Sequence, residues 1–126
     1  TTRWSDNDVY GHINNVVYYS YFDSIANRFL IEEGGLDITS SAEIAFVVSS
    51  GCDYYQPIAY PQAIEGGLAV EHLGRSSVRY RIGIFATDAP EASACGFFTH
   101  VFVKRESQAS CPIPEAIRNA LSRLAP

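Results

Sequence analysis

The chain contains 126 residues, of which 47% are hydrophobic, 13% are aromatic and 18% are charged. A chain of this length forms one domain, and its apolar fraction supports a buried core, which excludes a disordered protein. Nine basic and fourteen acidic residues give a net charge of −5, which argues against broad binding to nucleic acids or anionic membranes. We therefore predict a single domain over residues 1–126, with room only for a local cluster of basic side chains.

The three cysteines predict a protein with reduced thiols. Cys52, Cys95 and Cys111 form no C-x-x-C pair and no short Cys/His spacing, unlike the cysteines of disulfide scaffolds and zinc sites. We expect free thiols, a cytoplasmic location and no metal. No apolar stretch approaches the roughly 18 residues that a membrane-spanning helix needs. The sequence also lacks Met, so we expect a segment of a longer protein whose first strand is cut short.

One long helix is predicted near the start of the chain, after a turn-rich segment in which Thr1–Ser5 ends a strand. Asn14 is a favourable N-cap because its side-chain oxygen can accept a hydrogen bond from a first-turn amide. Gly34-Gly35 provides a stop signal directly after Glu33. Between these signals, apolar residues follow the 3.6-residue period and cover most of the circumference, which predicts a helix buried on several sides. These residues are Val17, Tyr18, Tyr21, Phe22, Ile25, Ala26, Phe29 and Leu30.

Beyond this helix the apolar period changes to two and predicts four antiparallel strands. The strands begin at about Ile44, Ile64, Ser77 and Ala92, and an amphipathic helix follows Pro114. The predicted fold class is therefore α+β, with an antiparallel sheet of about five strands, including the one cut short, curled around one long helix. A single helix cannot cover such a sheet, so an exposed edge or face favours dimerisation.

The most informative segment is D-N-D-V-Y-G-H-I-N-N at residues 6–15. It places two carboxylates just before a helix N-terminus, where unpaired amides and the helix dipole stabilise negative charge. Capping and turn formation are one explanation for these residues. A calcium-binding loop is excluded, because Tyr10 and Val17 occupy two positions at which such a loop needs oxygen ligands.

Catalysis is the other explanation for the same segment. A carbonyl group placed at the helix N-terminus would meet the free amide of Asn14 or Asn15, which can stabilise an oxyanion. Asp8 can then attack that carbonyl or activate a water molecule. These two parts are sufficient for acyl transfer to water, especially when the leaving group is a thiolate.

The stretch TRWSDNDVYGHINNVVYYSYFDSIANRFL resembles the opening of hotdog-fold acyl-CoA thioesterases of the hydroxybenzoyl-CoA thioesterase type. Their pattern is D-x-D-x-x-G-H-x-N-N followed by an aromatic-rich helix, and the order of elements extends the resemblance over residues 3–106. The resemblance implies hydrolysis of an acyl-CoA to a free acid and coenzyme A, without a cofactor. It implies that Asp8 is the nucleophile or general base and that the Asn15 amide polarises the thioester carbonyl. It also implies a homodimer or homotetramer with each active site at a subunit interface.

Two further groups of residues are predicted to bind substrate. Tyr10 and Gly11 would shape the loop around Asp8, and His12 would orient it. The turn Gly74-Arg75-Ser76-Ser77 resembles the family's turn that contacts the phosphates and pantetheine of coenzyme A, so Arg75, Ser76 and Ser77 are expected to bind substrate. Of the other basic residues on these strands, Arg79 and Arg81 are equally well explained by a solvated strand face.

Other functions remain open on sequence alone, because one fold hosts several activities. A non-catalytic module that binds acyl-CoA or an acyl carrier is the main alternative. A dehydratase would need a His/Glu pair that the sequence does not show. A purely structural dimerisation domain would bind no ligand.

Overall fold

The structure, a computed structural model, describes residues 1–125, so the last residue of the predicted domain, Pro126, lies outside it. Helix α1 is followed by four strands and by helix α2. Their bounds are α1 Asn15–Glu32, β1 Glu43–Tyr54, β2 Ile64–Leu73, β3 Ser77–Ala86, β4 Ala94–Lys104 and α2 Glu115–Ser122. All neighbouring strands are antiparallel, and their order across the sheet is β1-β4-β3-β2. The predicted α+β class, with one sheet packed on one long helix, is confirmed.

The start of the chain differs from the prediction. Thr1–Ser5 was expected to end a strand, but Trp4–Asp6 form a 3₁₀ turn and the sheet of the described residues has four strands. The cause is local, because the Asp6 carboxylate accepts hydrogen bonds from the amide and the guanidinium of Arg3. That amide is consequently bound within the turn and is not available to a neighbouring strand.

Helix α1 packs on the inner face of the sheet through residues spaced four apart. Tyr18, Phe22, Ala26 and Leu30 are buried, as expected for one face of a helix. Phe22 meets Phe98 of β4 edge to face, with ring centroids 5.9 Å apart. The helix approaches the sheet closely at Gly96, where any side chain would collide with the Phe22 ring. This packing fixes the N-terminus of α1 near the end of the sheet where β1 finishes and β4 begins.

Candidate functional site

A tight loop between the 3₁₀ turn and α1 presents Asp8. Its two sides are joined by an Asn7–Ile13 bridge and by the Asp8 amide, which donates to the His12 carbonyl at 2.9 Å. At the tip, the Gly11 amide donates to the Asp8 carbonyl, and Gly11 adopts a φ of 81°, which glycine reaches without strain. Asp8 Oδ1 accepts from the Tyr10 amide at 2.9 Å. Within residues 1–125 the other carboxylate oxygen of Asp8 accepts no hydrogen bond, so it is available to react.

The first turn of α1 leaves one amide available. The Asn14 side chain accepts from the Val16 amide at 2.9 Å, which confirms the predicted N-cap, and the Val17 amide donates to the Asn14 carbonyl. The Asn14 amide is occupied too, because it donates to the Asp6 carbonyl at 2.9 Å. Of the main-chain amides of residues 14–17, only that of Asn15 has no hydrogen-bond acceptor in the described part of the chain. A ligand oxygen at this helix end would therefore meet the Asn15 N–H.

Asp8 and Asn15 line the same cleft, which has a volume of about 540 Å³. The loop residues Tyr10 and His12 also line it, whereas Gly11 lines a different depression, which Asp8 and Tyr10 line as well. The remaining walls are mostly apolar and aromatic: Ile13, Tyr18, Tyr54, Tyr55, Gln56 and Pro57. The cleft thus joins a carboxylate and a free helix amide to a surface suited to an apolar acyl group.

Two tyrosines connect the helix start to strand β1. The Tyr54 hydroxyl donates to the Asn15 carbonyl at 2.9 Å, and the Tyr18 and Tyr54 rings meet edge to face. Burial raises the pKa of both phenols, so they remain protonated at neutral pH. Burial also raises the pKa of the Cys52 thiol next to them, which makes that thiol a poor nucleophile.

Asp6 is the residue whose role the sequence did not reveal. Only 1% exposed, it accepts from the Tyr21 hydroxyl at 2.6 Å and from Arg3 at 2.9–3.1 Å. Burial alone would raise the pKa of Asp6, but the hydrogen bonds from Tyr21 and from the Arg3 amide and guanidinium outweigh it and lower the pKa. Asp6 is consequently an internal anion that holds the loop, and Asp8 is the carboxylate open to a ligand.

The predicted coenzyme A contacts lie elsewhere in the chain. Ser77 pairs with Val101 at one end of the sheet, whereas Tyr54, beside the cleft, pairs with Ala94 at the other end. Seven residues of strand separate these positions, which corresponds to about 23 Å. Arg75, Ser76 and Ser77 are therefore not brought to the Asp8 cleft within one chain.

The turn that carries these residues is held by the C-terminal segment. The Arg118 guanidinium donates to the carbonyls of Gly74 and Arg75, and the Ile113 amide also donates to Arg75. Within residues 1–125, these hydrogen bonds use only main-chain atoms of Arg75, and its exposed side chain can contact a ligand. Two nearby strand arginines are engaged, because Arg79 and Arg81 both pair with Glu71 on the outer sheet face.

The chain is similar to a known protein family and to several solved structures. Residues 2–121 match the family model described as the thioesterase-like superfamily. The PA5185 protein of Pseudomonas aeruginosa strain PAO1 is 53% identical, with a TM-score of 0.98 over 99% of this chain and 87% of that chain. The PA2801 protein of Pseudomonas aeruginosa, a candidate thioesterase, is 30% identical, with a TM-score of 0.88 over 95% and 92%. Among curated proteins, none matches this chain.

A more distant structure shows the same fold. The DHNA-CoA thioesterase of Staphylococcus aureus is 21% identical, with a TM-score of 0.83 over 97% of this chain and 85% of that chain. None of the helices in residues 1–125 has the length and apolar character required to cross a membrane.

Proposed function

The chain belongs to the thioesterase-like superfamily, and we propose that it hydrolyses an acyl-CoA thioester to a free carboxylic acid and coenzyme A. The observation that carries the proposal is that Asp8 and the free Asn15 amide line one cleft. A carboxylate and an N–H donor on either side of a carbonyl carbon are the two groups that hydrolysis needs.

In the proposed reaction, the thioester carbonyl oxygen accepts a hydrogen bond from the Asn15 amide. As general base, Asp8 removes a proton from water, and the hydroxide adds to the carbonyl carbon. The tetrahedral intermediate then collapses, the carbon–sulfur bond breaks, and the proton on Asp8 passes to the departing thiolate. As nucleophile, Asp8 instead forms a mixed anhydride and expels the thiolate, and water then cleaves the anhydride.

The Asn15 amide contributes by stabilising the oxyanion. Its N–H is fixed by the helix before the substrate arrives, so little reorganisation accompanies the chemical step. One such preorganised donor lowers a barrier by about 2.7–4 kcal/mol. The dipole of α1 points its positive end at the same oxygen and adds to this effect.

The two edges of the sheet support a homodimer formed through β1. At the β2 edge, the Val70 amide donates to the Leu124 carbonyl, so the C-terminal segment occupies part of that edge. At the β1 edge, Phe46, Val47 and Val48 are 40–59% exposed over a 12-residue strand. A long apolar edge of this kind favours pairing with another strand, and a second copy of β1 is the partner we propose.

Such pairing would also complete the active site. If two β1 strands pair antiparallel, the Tyr54 end of one lies beside the Glu43 end of the other. The Glu43 end of a chain also carries the β4 terminus and the start of β3, because Glu43 pairs with Lys104 and Ser77 with Val101. The second copy would then place its Arg75–Ser77 turn three strand spacings from the cleft, about 14 Å away across the sheet.

Thiol release from a panel of aliphatic and aromatic acyl-CoAs tests the activity. We expect turnover with at least one member and a loss of about 10²–10⁴-fold in kcat for Asp8→Asn, because the base or nucleophile is lost. Undiminished turnover in Asp8→Asn would remove Asp8 from the mechanism. Binding of acyl-CoA without thiol release would instead support the non-catalytic binding module.

Matched lysine substitutions test the dimer. Val48→Lys places a charge on the exposed β1 edge, and Ala69→Lys places the same charge at an exposed position of β2. Measured by light scattering after size-exclusion chromatography, Val48→Lys should lower the mass to that of one chain and abolish turnover. Ala69→Lys should keep the mass of the unmodified protein, whether dimer or tetramer. An unchanged mass for both variants would contradict pairing through β1.

A further inference from the structure

The carboxylate of Asp6 has no chemical task in the proposed reaction, although it is the most strongly hydrogen-bonded side chain of the loop. Its two oxygens accept four hydrogen bonds, three from Arg3 and one from Tyr21. A buried carboxylate is costly unless it is fully paired. The four donors explain how this one is tolerated but not why an anion lies there.

The main chain of Asp6 closes the base of the loop. Its carbonyl accepts the Asn14 amide at 2.9 Å. Asp8 follows Asp6 by two residues, and Asn15 follows Asn14 directly. This hydrogen bond therefore joins the two segments that carry the reacting groups, together with the hydrogen bond from the Asp8 amide to the His12 carbonyl. Any movement of Asp6 relative to Asn14 would change the distance between the Asp8 carboxylate and the Asn15 amide.

The side chain of Asp6 ties that base to the body of the helix. Tyr21, which donates to Asp6, lies in the second turn of α1 and is otherwise packed among the core side chains. The other anchors of the loop reach a different segment: the Ile13 amide donates to Ile58, and Asn7 accepts from the Tyr60 amide. In the part of the chain that the structure describes, the Asp6–Tyr21 contact is the one side-chain hydrogen bond between the loop and α1 beyond its first turn.

We infer that Asp6 is a positioning residue, which fixes Asp8 and the Asn15 amide at their catalytic separation by tying the base of their loop to Tyr21. The inference rests on the proposed thioesterase function. Its consequence is large because a displacement of about 1 Å between reacting groups can reduce a rate by about 100-fold.

The test compares two variants that each lose one phenol hydroxyl that makes an internal hydrogen bond. Tyr21→Phe removes the donor to Asp6 and keeps the carboxylate and Arg3. Tyr80→Phe removes the hydroxyl that contacts His100 Nδ1 at 3.1 Å, in the core and away from the loop. Both should lower the urea midpoint, because each loses one internal hydrogen bond.

Only Tyr21→Phe should affect catalysis. We expect its kcat for the best acyl-CoA to fall at least about tenfold, with KM within about twofold, because binding is retained while the reacting groups are misaligned. Tyr80→Phe should keep the kcat of the unmodified protein. Equal kcat values for Tyr21→Phe and the unmodified protein, or equal losses in both variants, would overturn the inference.

Amide hydrogen exchange tests the positioning role independently of turnover. The Asn14 amide should exchange faster in Tyr21→Phe than in the unmodified protein, and no faster in Tyr80→Phe. An unchanged Asn14 rate in Tyr21→Phe would overturn the inference even if the protein is an active thioesterase. If the protein releases no thiol from any acyl-CoA, the proposed function fails, and the exchange rates still decide the role of Asp6.

Discussion

Asp6 and Asp8 stand two residues apart in one loop and occupy opposite environments. Asp6 is 1% exposed and every one of its hydrogen-bond donors is internal. Asp8 is only partly buried. One of its carboxylate oxygens accepts a hydrogen bond from the Tyr10 amide, and the other accepts none from residues 1–125. The base of the loop therefore stabilises the fold, whereas the carboxylate of Asp8 keeps an oxygen without an internal donor and can meet a substrate.

The comparison also explains how a carboxylate and an amide remain available side by side. A free helix amide next to a free carboxylate would form a hydrogen bond if the chain allowed it. In this loop, the Tyr10 amide binds Asp8 Oδ1, and the Asp6 carbonyl binds the Asn14 amide. These two hydrogen bonds hold the main chain of the loop in which Asp8 and Asn15 both line the cleft.

Alanine substitution should separate the two carboxylates in stability. Asp6→Ala removes the acceptor of four hydrogen bonds, and we expect the free energy of unfolding to fall by about 1.5–3 kcal/mol, the usual cost for hydrogen bonds to a charged group. Asp8→Ala should change it by no more than about 0.5 kcal/mol, as for other surface positions. Urea unfolding of both variants measures the difference, and equal losses would refute the assignment of separate roles.

A smaller effect of Asp6 on the free energy of unfolding should appear at low pH. The lowered pKa of Asp6 means that the folded state favours the carboxylate, so this residue adds stability above its ordinary value of 3.8. That stability is lost as the pH falls below 3.8. Asp6→Asn should therefore show a flatter fall in unfolding free energy below pH 3.8 than the unmodified protein. Parallel curves in this range would show that Asp6 does not contribute to acid unfolding.

His100 affects the free energy of unfolding at a higher pH than Asp6 does. Burial lowers the pKa of His100 from 6.5 to about 4, so the unfolded chain binds a proton more readily than the folded chain between these values. Stability should consequently fall as the pH drops from 6.5 to about 4. Because this fall is common to the unmodified protein and Asp6→Asn, it cancels in the difference between their curves.

Much of the scaffold was predictable from periodicity. The predicted second strand, residues 64–73, has the bounds found in the structure, and α1 starts and ends within one residue of the prediction. Strand and helix periods report which face of an element is buried, and that information is present in any short window of sequence. The start of the chain was predicted wrongly because a side chain, Asp6, turns back on Arg3 and closes a turn.

The site itself was predictable only in part. The D-x-D pattern places both carboxylates near the helix, but it does not distinguish the buried Asp6 from the open Asp8. That distinction depends on Tyr21, fifteen residues away, whose orientation is set by the packing of α1. The separation of Arg75–Ser77 from the cleft likewise depends on strand register, which the sequence pattern does not define.

Replacing Asn15 with proline tests whether the free Asn15 amide stabilises the reacting carbonyl oxygen. Asn15 is the first residue of α1, a position that accepts proline, and Asn14 has the extended conformation, with ψ of 137°, that a residue before proline prefers. Asn15→Pro therefore removes the N–H while keeping the helix, and Asn15→Ala keeps the N–H as the control. We predict that kcat for the best acyl-CoA falls about 10²–10³-fold in Asn15→Pro and stays within about threefold in Asn15→Ala. A folded Asn15→Pro protein with the kcat of the control would contradict the account.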